Sequence, residues 1–143
     1  MTIAVIVESR GDVQPVTVER DLLVRDAASL LASRKIGAVP VMDGEAVAGI
    51  MSERDIITCL ARDGAQILDW PVEKIMTAPA ITVGPERTVL AALSLMTSRR
   101  IRHLPVVENG RLISIVSIGD LVKYRLDRIE AEAEAMLSYI QSA

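Results

Sequence analysis

The chain has 143 residues, half of them apolar, and a formal net charge of −3 from 16 basic and 19 acidic side chains. That length suits one compact domain or two small ones sharing a core, and the acidic balance argues against a protein whose main work is neutralising nucleic-acid phosphates. A single cysteine, Cys59, and a single histidine, His103, exclude an intrachain disulfide and a zinc site built from sulfur and imidazole.

Phenylalanine is absent and aromatics total 2%, so base stacking on aromatic platforms has almost nothing to use. The first apolar run, Ile3 to Val7, stops at Glu8, too short for a signal-peptide core or a membrane span. The expectation is a soluble protein of a reducing, cytoplasmic setting.

Val16-Thr17-Val18 is a short β-rich piece, and Val24, Ala27, Ala28 and Leu31 then follow at the spacing that gives a helix one apolar face. Two apolar runs, Ala38–Met42 and Ala46–Met51, flank the hairpin signal Asp43-Gly44. A helix is expected to begin just after Ser52, with Cys59 on its apolar side. Gly64–Ala80 joins this unit to the next and holds Asp69-Trp70-Pro71, a helix-start signal; Trp70 is expected at the seam between units.

The series then recurs. Ile81-Thr82-Val83, broken by Gly84-Pro85, precedes a helix carrying Val89, Ala92, Leu93 and Met96, and the runs His103–Val107 and Leu112–Val116 flank Asn109-Gly110. Sliding the chain against itself by 65 aligns Val5–Ile57 with Trp70–Val122 without a gap, with 16 identities in 53 positions. Each half reads β-α-β-β-α, although the Asp-Gly and Asn-Gly signals sit one residue apart in that register. The expected division is a first repeat over 5–63, a linker with a short helix over 64–80, a second repeat over 81–123 and a helical extension over 124–143. In that extension Leu126, Ile129, Ala133, Met136 and Ile140 alternate steps of three and four, a seam to be buried by its own chain or by a dimer partner.

Both halves end their hairpin with Ser-x-x-Asp: Ser52 to Asp55 and Ser117 to Asp120. One explanation is a capping box, in which the serine accepts from a first-turn N–H and the acid reaches back. A compatible second role follows from the same position. A helix start favours phosphate through unpaired N–H groups and the dipole, and a nearby carboxylate can accept from two vicinal sugar hydroxyls. Arg54 lies between serine and acid in the first copy and could pair with phosphate; Gly119 replaces it in the second.

The segments IGAVPVMDGEAVAGIMSERD and IRHLPVVENGRLISIVSIGD, each behind its amphipathic helix, resemble a tandem pair of cystathionine β-synthase (CBS) domains, the unit called a Bateman module. The resemblance runs from about Val5 to Val122 and suggests a stand-alone pair. It implies an α+β fold in which two pseudo-symmetric βαββα repeats pack through their sheets. It also implies clefts for AMP, ADP, ATP, NAD(H) or S-adenosylmethionine, with no cofactor required.

Carried onto this chain, Asp55 and Asp120 would hold ribose hydroxyls, with Ser52 and Ser117 beside ribose and phosphate. Adenine would lie against the backbone near Ala38-Val39-Pro40 and His103-Leu104-Pro105, with Thr17-Val18 and Thr82-Val83 as walls. The second copy departs from the pattern: Gly37-Ala38 becomes Arg102-His103, and Gly49 becomes Ser114. Those bulkier groups would fill the adenine space or grip phosphate.

Arg99, Arg100, Arg102 and His103 form a basic cluster, read as a solvated helix end or as phosphate contacts. The chain has no G-x-x-x-x-G-K-[ST] loop, G-x-G-x-x-G fingerprint or H-E-x-x-H motif, and His103 has no polar partner at a spacing suited to catalysis. The expected function is therefore that of a non-enzymatic adenosine-nucleotide sensor, a homodimer signalling to an unknown protein partner. The rivals are a ligand-free interaction scaffold, a small nucleotide-processing enzyme and an RNA binder through the basic cluster.

Overall fold

The structure is a computed structural model and describes residues 1–142. Helices α2 (Val24–Arg34) and α4 (Val89–Arg99) bury Val24, Ala27 and Leu31 in one case and Val89, Ala92 and Met96 in the other, the same face at the same register. Neither ends on glycine. Lys35 and Arg100 close the two helices in the left-handed region, at φ 54° and 55°.

Strands β2 (Ala38–Asp43) and β3 (Ala46–Ser52) form one antiparallel hairpin, and β4 (His103–Glu108) and β5 (Arg111–Ser117) form the other. The offset between the two turn signals disappears in the fold. Gly44-Glu45 and Asn109-Gly110 occupy equivalent loop positions: Gly44 alone is at positive φ in the first turn, whereas both residues are in the second. These are the φ patterns of type II′ and type I′ turns, and both suit a two-residue hairpin.

The leading strands are shorter than the sequence suggests. In the first half, β1 (Val18–Glu19) pairs parallel with β2. In the second, Ile81-Thr82-Val83 makes no strand, and Val83 alone bridges Val106. The cause lies two positions on. The Arg20 N–H donates to the Met42 carbonyl at 3.2 Å, whereas the equivalent residue, Pro85, has no N–H to donate.

Two hydrophobic clusters form, one per half, and each is completed by chain from outside its own hairpin and helices. The N-terminal apolar run folds as helix α1 (Ile3–Ser9) and buries Ile3 and Ile6 among Val83, Val89, Met96 and Leu104 of the second cluster. The Ile3 and Ala4 N–H groups donate to the carbonyls of Arg87 and Pro85, both at 2.9 Å. The joining segment does the same for the first cluster: its short 3-10 helices, Ala65–Asp69 and Val72–Lys74, bury Ile67 and Val72 against Leu31, Val39 and Met51. Trp70 packs on this first cluster, with the Lys74 ammonium 4.8 Å from its ring centroid.

The sheets meet through β3 and β5. Helices α3 (Glu53–Asp63) and α5 (Ile118–Ser142) start directly at the hairpin ends. Cys59 is buried on α3 as a free thiol. Over its 25 residues α5 buries only Leu121 fully; Leu126, Ile129, Met136 and Ile140 stay exposed. Its seam is not covered by its own chain, because at about 1.5 Å per residue the helix outruns the globular body.

Candidate functional site

Both Ser-x-x-Asp segments are reciprocal caps. The Asp55 N–H donates to Ser52 Oγ at 3.2 Å and the Ser52 N–H to Asp55 Oδ2 at 2.8 Å. In the second copy the corresponding distances are 3.1 and 2.8 Å. Capping accounts for the spacing; the direction the carboxylates face is a separate matter. Each is half-buried and lines a cleft between the two halves.

The first cleft, about 130 Å³ and open to solvent, sets Ala38, Ser52 and Asp55 opposite Ile81, Arg100 and His103. The second, about 420 Å³, sets Ser117, Asp120 and His103 opposite Val16, Lys35 and Ala38. The 65-residue offset converts one set into the other. Ala38 and His103 serve both clefts because they are equivalent positions flanking the pseudo-twofold relation. Clefts that are apolar with a few convergent polar groups are the usual form of a small-molecule site.

The clefts differ in their polar groups. In the first, Thr77 Oγ1 donates to Asp55 Oδ1 at 3.1 Å, and the Arg54 guanidinium donates to the Arg100 carbonyl at 3.0 Å. Arg54, Arg100 and Arg102 give this cleft a cationic rim. Part of the basic cluster thus lines the cleft, while Arg99 stays on the exposed end of α4.

In the second cleft Arg10 lies across the acid, its guanidinium 2.6 Å from Asp120 Oδ2. The same group donates to the Ile115 carbonyl at 2.6 Å and to Ser114 Oγ at 3.1 Å. Burial works to raise the Asp120 pKa, but the Ser117 backbone N–H and the Arg10 guanidinium outweigh it and hold the carboxyl below its ordinary range. Ser114, expected to crowd adenine or grip phosphate, is buried and accepts from Arg10 instead.

Its counterpart Gly49 has a different task, since a Cβ there would stand 2.6 Å from the Thr77 carbonyl oxygen. The Met76-Thr77 segment crosses at that point, with Ile50 and Thr77 exchanging backbone hydrogen bonds at 3.0 and 2.9 Å. In the second half the Arg10 side chain takes that place, meeting Ile115 where Thr77 meets Ile50.

Of the residues singled out from sequence, Ala38, Ser52, Arg54, Asp55 and His103 come together in the first cleft, and Ala38, His103, Ser117 and Asp120 in the second. Val18, Val39, Val83 and Leu104 are buried in the cores, and Pro40 and Pro105 are buried in their strands. Thr17 lines a separate groove with Met42, Glu45 and Arg111, and Thr82 is exposed outside both clefts and that groove. Arg10, Lys35 and Thr77 were not foreseen at the clefts. Lys35 had a signal, as the repeat equivalent of Arg100; Arg10 had none, since it aligns with the buried Ile75.

The CBS domain family model matches residues 11–62 and 72–127, and the chain belongs to this family. It is 37% identical over 126 residues to the mitochondrial CBS domain-containing protein CBSX3 of Arabidopsis thaliana, covering 85% of this chain and 61% of that protein. It is 33% identical over 111 residues to YhcV of Bacillus subtilis, covering 76% of each.

Among solved structures, a CBS-domain protein from Burkholderia ambifaria MC40-6 superposes at a TM-score of 0.82 with 38% identity, over 89% of this chain and 95% of that one. PAE2072 of Pyrobaculum aerophilum, complexed with AMP, gives 0.72 with 27% identity over 84% and 89%. The CBS pair of MJ0100, in complex with 5-methylthioadenosine and S-adenosylmethionine, gives 0.70 with 26% identity over 78% and 91%. Among the described residues no helix is long and apolar enough to cross a membrane, and no cluster of His, Cys, Asp or Glu could hold a metal ion.

Proposed function

We propose that this chain is a non-catalytic sensor that binds an adenosine-containing nucleotide in the first cleft. Asp55 accepts from the ribose hydroxyls, Ser52 stands beside them, and Arg54, Arg100 and Arg102 meet the phosphate. Adenine lies toward Ala38 and the apolar walls of Ile50 and Ile81. The observation that carries the reading is Asp55 at the start of α3, facing an apolar cleft with a cationic rim. A helix start and a positive rim both favour an anionic group there. The AMP complex of PAE2072 and the S-adenosylmethionine complex of MJ0100 support the ligand class.

Because the cleft is built from both halves, a ligand that fits one relative placement better than another shifts the population toward it. The exposed stripe of α5 carries that change outward, through a homodimer and a protein partner in the cytoplasm.

Calorimetric titration of AMP into the wild type and Asp55→Glu tests the reading. The longer acid keeps the charge at the helix start but displaces the carboxylate from the sugar. Affinity should fall at least tenfold with the melting temperature nearly unchanged, and equal affinities would overturn the assignment. AMP recovered intact after incubation with protein and magnesium is the outcome expected of a sensor; hydrolysed AMP would make the protein an enzyme.

A further inference from the structure

The two clefts share their architecture but not their occupancy by protein. Asp55 is met by a neutral hydroxyl, Thr77 Oγ1, through Oδ1 at 3.1 Å. Asp120 is met by a guanidinium at 2.6 Å that is also tied to a backbone carbonyl and to a buried hydroxyl. The hydroxyl is one weak partner that can turn away. The guanidinium is a fixed cation with three acceptors.

Arg10 is also well anchored. It follows α1 directly, and α1 is held by the buried Ile3 and Ile6 and by backbone bonds to Arg87 and Pro85. Among the described residues the first cleft has no such group on its carboxylate, because the repeat register puts Ile75 at the equivalent position and the core buries it.

We propose that Arg10 occupies the ribose position of the second cleft, so that this chain takes a single adenosine ligand, in the first cleft. The inference rests on the functional reading above, since it concerns which carboxylate is free to accept from a sugar. A ribose entering the second cleft must displace a cation from its carboxylate and leave the Ile115 carbonyl without that donor. A hydrogen bond to a charged group shifts an equilibrium by roughly ten- to a hundredfold. Both side chains are about one-third exposed, at 33% and 38%, so solvent screening sets the expectation near the lower end, about tenfold. Arg10 thereby turns a symmetric duplication into a receptor with one site.

The experiment is calorimetric titration of AMP into the full chain, comparing the wild type, Arg10→Met and Arg10→Met/Asp120→Ala. At AMP concentrations that fill the first cleft but not a site tenfold weaker, the expected stoichiometries are one, two and one AMP per chain, the second site of Arg10→Met being about tenfold tighter than in the wild type. Arg10→Gln provides the same comparison should methionine disturb the packing of α1. Two equal sites in the wild type, or a single site in both Arg10 variants, would overturn this inference while leaving the first-cleft reading intact. No AMP binding by any of these proteins would overturn both.

Discussion

Gly37 and His103 face each other where the halves meet: a Cβ at residue 37 would stand 3.1 Å from the imidazole Cε1. That contact is tight but made with a side chain, so the imidazole can give way. Since both residues line both clefts, the displacement falls on the clefts more than on the core. Gly37→Ala is expected to weaken AMP binding by about fivefold, roughly 1 kcal/mol, and to leave the melting temperature almost unchanged. A large fall in melting temperature without an affinity change would contradict this division.

The same histidine gives stability a pH dependence. Burial holds the His103 pKa below its ordinary value of 6.5, reinforced by Arg102 and opposed by Glu53 and Asp120. With the folded pKa depressed, the unfolded chain takes the proton first as pH falls. The contribution is therefore complete above about pH 6.5 and is lost as pH drops toward the folded value. Melting curves between pH 7 and 5 should show a slope that His103→Gln reduces. Asp120 adds its own loss only at stronger acid, as pH falls through its folded pKa below 3.8.

Lys35 holds a left-handed conformation, φ 54°, without being glycine. That conformation costs an L-residue about 1–2 kcal/mol, and glycine's larger unfolded freedom takes back about 0.5–1 kcal/mol of any relief. Lys35→Gly should stabilise the fold by about 0.5 kcal/mol, read as a rise of about 2 °C in melting temperature. A clear fall would mean that the lysine stem contributes packing that outweighs the backbone strain.

Ile3 is the third residue of the chain yet is fully buried, at 0% exposure. Truncating a buried isoleucine leaves a cavity, so Ile3→Ala should cost about 2–4 kcal/mol. Denaturant unfolding measures it. A cost under about 0.5 kcal/mol, the usual range for exposed positions, would show that α1 does not seal the second core.

Gly49 passes under a neighbouring backbone. Placing a Cβ 2.6 Å from the Thr77 carbonyl oxygen forces the Met76-Thr77 segment off β3. Overpacking of this kind costs about 1–3 kcal/mol, so Gly49→Ala should lower the unfolding midpoint accordingly. Ser114, at the equivalent position, shows that a side chain fits where no backbone crosses, and Ser114→Ala should be milder.

Local pattern was enough to set out the repeat, helices α2 to α5, the hairpins and the Ser-x-x-Asp spacing, because each depends on residues only a few positions apart. The apolar faces of α2 and α4, the Gly44 and Asn109-Gly110 turns, and Ser52/Asp55 with Ser117/Asp120 all follow from short-range spacing and backbone conformation. What surrounds each carboxylate depends on residues far away in the chain. Arg10 meets Ile115 across 105 residues, and α1 seals the half to which it is not adjacent in sequence. Chain order carries no trace of these meetings, since they arise only once two amphipathic halves bury their faces together and bring distant charges within hydrogen-bonding reach. The Ser-x-x-Asp pair was therefore written twice in the sequence, and the packing decided that Asp120 meets the Arg10 guanidinium while Asp55 meets the Thr77 hydroxyl.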